Sequence, residues 1–266
     1  MEKYEFTGET LNWEGRTLHR IRALKDFGDV KAGDIGCWIE KEKNLSHNGD
    51  CWIYGSAKIY GYAVIKDNAI IEGYAVIGNH AIIEGYAAIG DHAVIEDNAA
   101  IGDDAVINGN TIIKDNAVIN GNTVIGGHAV IGDDAIIRGY AVIEDNAVIG
   151  GYAAIGDHAV IEDHAVIGDD AVINGNTIIK DNAVINGRAV INSDRDYMTI
   201  NPIDSRNGAT TAFRTLEGTK VQCGCFYGSI SEFEEKVKET HGDNQYAKEY
   251  LAFIELLKVR FKDYEN

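Results

Sequence analysis

Isoleucine stands at every sixth position from Ile53 to Ile191, 24 times without a skip. A period of six fits neither a helix nor a long pleated strand, so this feature decides the fold before composition is considered. Two residues before each Ile is a small side chain, Ala at most places and Thr at Thr111, Thr123 and Thr177. In a very short strand such as Ala153-Ala154-Ile155, the first and third residues face one way and the middle one faces the other. Gly or Asp then Asn, His, Asp or Tyr follow, residues that tolerate the left-handed backbone of a sharp corner. Composition agrees: 30 Gly against 1 Pro means many tight turns needing positive φ rather than a flexible linker. Three strands and three corners make one triangular coil of 18 residues. The 24 hexads predict eight regular coils with Ile and Ala filling the axis, a prism roughly 38 Å long at about 4.8 Å per layer.

This pattern resembles the hexapeptide-repeat family, and the resemblance implies a left-handed parallel β-helix. A solenoid must be capped at both ends. The expected organisation is an N-terminal cap with an irregular first coil over 1–51, the β-helix over 52–192, and a small α+β cap over 193–266. Strands are expected at Tyr4–Phe6 and Arg16–Leu24, and an irregular coil from Asp34 carrying Ile39, Leu45 and Cys51 inward. After Asn192, strands are expected near Tyr197–Ile200, Thr210–Thr215 and Thr219–Cys223, with helices near Ser231–Thr240 and Asn244–Lys262. Ser231 with Glu234 reads as a capping box, and Arg206-Asn207-Gly208 as a turn. The stretch from Asp26 through Gly36-Cys37-Trp38-Ile39 to Gly49-Asp50-Cys51-Trp52-Ile53-Tyr54 is similar to the entry segment of YdcK-type bacterial hexapeptide proteins. The tail around Cys223-Gly224-Cys225-Phe226 and Thr240-His241-Gly242 resembles prophage-borne repeat proteins. These resemblances imply a fold and a bacterial context, and carry over no functional residue.

The enzymes usual on this fold are CoA-dependent acyltransferases and zinc carbonic anhydrases. The acyltransferases place a catalytic His beside a loop that interrupts the coil, and no interruption occurs here. Five His (His80, His92, His128, His158 and His164) occupy the same slot of the hexad as Asn, Asp and Tyr, so turn formation accounts for them. His92, His128 and His164 share a corner but are 36 residues apart, about 10 Å, too far for one zinc. Asp97, Asp115 and Asp133 form a ladder 18 residues apart, as do Asp145, Asp163 and Asp181. Such a ladder either binds cations or caps turns, each Asp its own, and the second reading is preferred. Cys223, Cys225 and His241 make at most a partial metal set on one strand face. No phosphate loop, nucleophile elbow or HExxH motif occurs. No metal, cofactor or catalytic residue is therefore assigned.

Residues 85–121 recur at 151–187 with two changes, Asn98 to His164 and Ala100 to Val166. The offset of 66 is eleven hexads, so the copy lands on a different face. Interchangeable faces argue for a scaffold rather than a catalytic groove. The chain carries a formal charge of -18, and residues 52–192 hold 19 acids against 6 bases. An acidic rod excludes binding to nucleic-acid phosphates or anionic membranes. Four Cys and no apolar leader or 18-residue apolar run point to a reducing cytoplasm. One coil face stands out, with Val130, Val148 and Val166 outward beside Gly132, Gly150 and Gly168, and no charge between them. It is the expected self-association surface, a trimer first and a dimer second. The sequence thus points to a non-enzymatic scaffold or protein-binding solenoid, one form being an acidic DNA mimic of phage origin that engages a protein partner through the coil. The alternative is a CoA-dependent acyltransferase.

Overall fold

The computed structural model describes residues 2–203 and 208–262. Each hexad forms a two-residue strand such as Val76–Ile77, and strands 18 residues apart pair in parallel, as Val94 does with Val76 and with Ile112. Three parallel sheets result, and the chain visits each in turn. They enclose a three-sided stacked-coil β-solenoid of about nine turns. The additional turn is the irregular coil, with Ile35–Ile39 as a strand and Leu45 bridged to Ile65. The axis is as the period requires: the inward Ile and Ala are fully buried from Ala57 to Ile191. Thr111, Thr123 and Thr177 take three of the Ala places, also buried. Thr177 donates to the Asn174 carbonyl at 2.7 Å. The hydroxyls of Thr111 and Thr123 have no partner among the described residues.

The ladder has a direction. Each strand N–H donates to a carbonyl one coil later, as Val76 does to Ala93 at 2.9 Å and Gly78 to Ile95 at 2.9 Å. The first coil is therefore left with bare carbonyls and the last with bare N–H groups, and each costs free energy if buried without a partner. The two caps answer with opposite chemistry. At the entry end the added groups are donors. Asn44 Nδ2 donates to Ala63 O at 2.8 Å, Lys3 Nζ to Cys51 O at 2.8 Å, and Tyr4 OH to the carbonyls of Glu42 and Leu45. At the exit end they are acceptors. Asp194 Oδ1 takes the Ile178 N–H at 2.8 Å, and Thr211 Oγ1 takes the Val184 N–H at 3.1 Å.

The entry cap is a β-hairpin, Tyr4–Trp13 and Arg16–Ala23, longer in its first strand than the sequence suggested. It extends one face of the solenoid antiparallel to Ile35–Ile39. The exit cap is a four-stranded antiparallel sheet covered by two helices. Its strands are Tyr197–Ile203, Gly208–Thr215, Gly218–Cys223 and Phe226–Ser229, the last not anticipated. The helices are α1 (Ile230–His241) and α2 (Gln245–Arg260). Phe213 is buried and belongs to the solenoid core, closing its end. The capping box sits two residues earlier than expected. Ser229, not Ser231, caps α1, and Glu232, not Glu234, reaches back to its N–H at 2.7 Å. Of the expected turn at Arg206-Asn207-Gly208, the first two residues lie outside the described ones. No helix is long and apolar enough to cross a membrane among the described residues.

Candidate functional site

The corner His residues sit on separate turns. His80, His92 and His158 stack on the Tyr one coil earlier, at 5.0, 5.1 and 5.0 Å between rings for Tyr62, Tyr74 and Tyr140. His128 Nε2 lies 3.3 Å from Asn110 Nδ2. Among the described residues no three His, Cys, Asp or Glu side chains converge on a common point.

The Asp ladders resolve into backbone bonds, but not to each residue's own turn. Asp115 Oδ2 accepts the Asp133 N–H at 3.3 Å and Asp133 Oδ2 accepts the Gly151 N–H at 3.0 Å, each one coil ahead. Asp145 and Asp163 do the same toward Asp163 and Asp181. Asp97 accepts instead from the side chain of Asn79 at 3.0 Å. These Asp residues all have positive φ, between 51° and 60°. From this conformation the carboxylate meets a neighbouring corner along the axis, the next one for Asp115, Asp133, Asp145 and Asp163 and the previous one for Asp97. The ladder is a device for coil stacking, which is why it runs so regularly.

On the outward face, Val130, Val148 and Val166 stand in one parallel register. Val148 is 39% exposed and its two neighbours are half-buried. The glycine row beside them is not bare. The carboxylates of Asp115 and Asp133 lie over Gly132 and Gly150, and the Asn186 amide lies over Gly168. The face is thus apolar along the valines and edged by polar groups.

Cys223 ends its strand, and Gly224, at φ 58°, turns the chain so that Cys225 falls outside it. The two thiols therefore do not share a strand face. Cys223 is buried, within 3.2 Å of Thr210 Oγ1 and 3.4 Å of the Tyr250 hydroxyl, whereas Cys225 is exposed. Both border a cavity of about 380 Å³ with His241, Lys236 and the Phe226 and Phe233 rings.

The arrangement with the most chemistry is where the coil meets the exit cap. A cavity of about 430 Å³ lies between the corner at His164 and the turn of the cap sheet, lined also by Asn182, Val184, Gly208 and Gln222. His164 and Asn182 occupy the same corner one coil apart. The His164 ring is exposed and makes no hydrogen bond among the described residues. Asn182 belongs to the last coil at this corner, so its N–H has no coil carbonyl ahead of it. An imidazole and two side-chain amides thus share one recess, and the Gln222 amide also donates to the Gly224 carbonyl at 2.6 Å. Sequence reasoning passed over His164 because its hexad slot explained it. The signal was present in the duplication: one of the two changed positions is His164, and the other, Val166, pairs with the cavity-lining Val184. The copied block is altered only next to the cap.

A family model described as the GMPPB C-terminal domain matches residues 89–200. A protein of Escherichia coli K12 named as the uncharacterized acetyltransferase YdcK is 48% identical over 52 residues, 19% of this chain. The match spans 16% of the length of that relative. Among solved structures, a Bacillus cereus protein assigned as an acetyltransferase is 17% identical with a TM-score of 0.33, over 72% of this chain and 91% of its own. The UDP-N-acetylglucosamine acyltransferase of Campylobacter jejuni is 17% identical with a TM-score of 0.27, over 84% and 89%.

Proposed function

We propose that this β-solenoid of hexad period is a CoA-dependent acyltransferase whose acceptor site is the recess between His164 and the exit cap. The observation that carries this reading is the cap itself. An unbroken coil offers nothing to exclude water or orient an acceptor, and the cap supplies that wall at one corner, where a free imidazole stands. The relative named as an acetyltransferase agrees with the reaction class. A volume of about 430 Å³ holds an acyl group and a small acceptor but not a whole CoA, which must lie along the outside of the coil.

In this reading His164 accepts the proton of an acceptor hydroxyl or amine as that atom attacks the thioester carbonyl. Imidazole is the side chain suited to proton exchange near neutral pH. In the same reading the Asn182 N–H, and the Gln222 amide hydrogen not engaged by the Gly224 carbonyl, donate to the carbonyl oxygen as charge develops on it. The thiol of CoA is the leaving group and takes the proton back from His164.

A non-enzymatic scaffold is the second reading, favoured by the unbroken coil and by the near identity of residues 85–121 and 151–187 on different faces. Acetyl-CoA separates the two. The enzyme predicts a rise in melting temperature with ligand by mass action, and thiol release with an added amine or hydroxyl acceptor that His164→Ala reduces about a hundredfold or more. No stabilisation by millimolar acetyl-CoA, with no thiol release, selects the scaffold.

A further inference from the structure

The entry cap contains a pair that the acyltransferase reading does not use. Lys3 is fully buried. Its Nζ donates to the Cys51 carbonyl at 2.8 Å and the Gly49 carbonyl at 3.3 Å, and lies 3.2 Å from Cys51 Sγ. The Phe27 ring covers it, 4.9 Å from ring centre to Nζ. None of its hydrogen bonds goes to a carboxylate, so the Cys51 sulfur is the one contacting atom that can become an anion. That sulfur is otherwise ringed by the carbonyls of Ser46, Asn48 and Ile65, at 3.5–3.8 Å. The other three cysteines differ. Cys37 faces the Gly55 and Ala57 carbonyls, Cys223 faces hydroxyls, and Cys225 is open to solvent. The residues just before Cys51 in the chain, Asn48–Asp50, are exposed.

We propose that Lys3 and Cys51 are a modification site at which peroxide creates a covalent sulfenamide bond, stapling the N-terminal strand to the first coil. A proton passes from the thiol to the amine, giving thiolate and ammonium in contact. The thiolate attacks one oxygen of hydrogen peroxide and the O–O bond breaks. The departing hydroxide takes a proton from the Lys3 ammonium and leaves as water, so Cys51 is now a sulfenic acid and Lys3 a neutral amine. The amine nitrogen attacks the sulfur, the S–O bond breaks, and the hydroxyl departs with an amine proton as a second water. Sulfur is oxidised by two electrons and peroxide is reduced; the protein loses two hydrogens. Sulfenic acids are known to condense with nitrogen in this way when one is held against them. Two thiol equivalents reverse the bond by restoring thiol and amine and forming a disulfide between themselves. Burial works against the first step, raising the Cys51 thiol above its ordinary value although the Lys3 ammonium in contact pulls it back, and favours the second, because it pushes the Lys3 ammonium toward its neutral form.

The link joins residues 48 positions apart. In the solenoid this matters at the entry end, where Lys3, with Asn44 and Tyr4, is one of the donors that cover bare carbonyls, and a staple would prevent that end from fraying.

The test uses the full chain, treated with hydrogen peroxide, alkylated, cleaved on the acidic side chains and read by peptide mass. The expected product joins the peptides holding Lys3 and Cys51, lighter than their sum by two hydrogens. It should vanish on reduction with excess thiol, and be absent in Cys51→Ser. In Lys3→Gln the oxidised Cys51 should instead carry added oxygen. The proposal is overturned if wild-type Cys51 gains oxygen without the link, or stays a free thiol while exposed Cys225 is fully oxidised in the same sample. Both of those outcomes are read on the wild-type protein, so the answer stands even where a variant fails to fold.

Discussion

Ile131 shows how much a single residue carries in a solenoid. Its side chain is fully buried on an axis lined by the same residue in the coils before and after, Ile113 and Ile149. Ile131→Asp places a carboxylate where nothing can solvate or pair with it, and should lower stability by several kcal/mol. Chemical denaturation decides this; a midpoint unchanged from wild type would contradict the inward assignment. The corner residues are under a different constraint. Asp133 holds φ 51° and gives its carboxylate to the Gly151 N–H. Asp133→Ala keeps the left-handed backbone without the side chain that makes it tolerable, and removes the bond to the next coil. A loss of about 1–2 kcal/mol is expected, and Asp133→Asn should recover most of it. Glycine is demanded more strictly at Gly109, where a Cβ would come within 2.3 Å of the Gly127 carbonyl oxygen. Substituting Ala there should cost more than Asp133→Ala, by the same measurement.

The elements differ in how openly the sequence displayed them. The inward positions of the hexads could be read directly because each repeats one demand, a small inward residue, an inward Ile and a corner, whereas the corner Asp residues bond to the next coil and not to their own turn as the sequence suggested. The exit cap obeys no repeat, and its local signals misled. Ser231 and Glu234 have capping-box spacing, but Ser229 and Glu232 have it too, and the tight turn at Gly224-Cys225 releases a fourth strand that ends at Ser229. The real task of Glu234 is tertiary. It accepts from Lys238 on its own helix and from Lys258 of α2 at 2.6 Å. Those two ammonium groups hold its carboxyl down to about 2, below the usual glutamate range. A depressed folded value means the clamp stabilises fully above the unfolded glutamate pKa and is lost as pH falls toward the folded one. Unfolding of the cap helices, followed by circular dichroism, should therefore grow easier between about pH 4.5 and 2, and Glu234→Gln should flatten that dependence. A variant with the wild-type slope would show that other groups set it. The candidate site was legible only indirectly. Its His164 was visible as an edited position in a copied block, but Gln222 comes to it through the cap, whose docking no spacing announced.

At the scale of the whole molecule the open question is what covers the valine row. Val130, Val148 and Val166 are three β-branched residues at one-layer spacing, and the exit cap reaches the next member, Val184, without covering Val148. A row of this kind with carboxylates along its border suits packing against a second copy. Its centre is desolvated on contact while its charged rim stays wet. A contact of about 800 Å² per partner would be standard for a stable interface. Opposing it is the excess of 19 acids over 6 bases in residues 52–192, screened at physiological salt beyond a Debye length of about 8 Å. The expectation is an oligomer that tightens as salt rises, a trimer before a dimer. Val148→Lys places an ammonium in the row of every copy. Since Val148 is the most exposed of the three, the coil can bear that change while the contact cannot. Light scattering at tens of micromolar with the melting temperature of the same samples is the deciding pair of measurements. A mutant that is monomeric and melts as wild type does supports the face; a wild-type monomer, or an oligomer that survives Val148→Lys, assigns the row to the solvent.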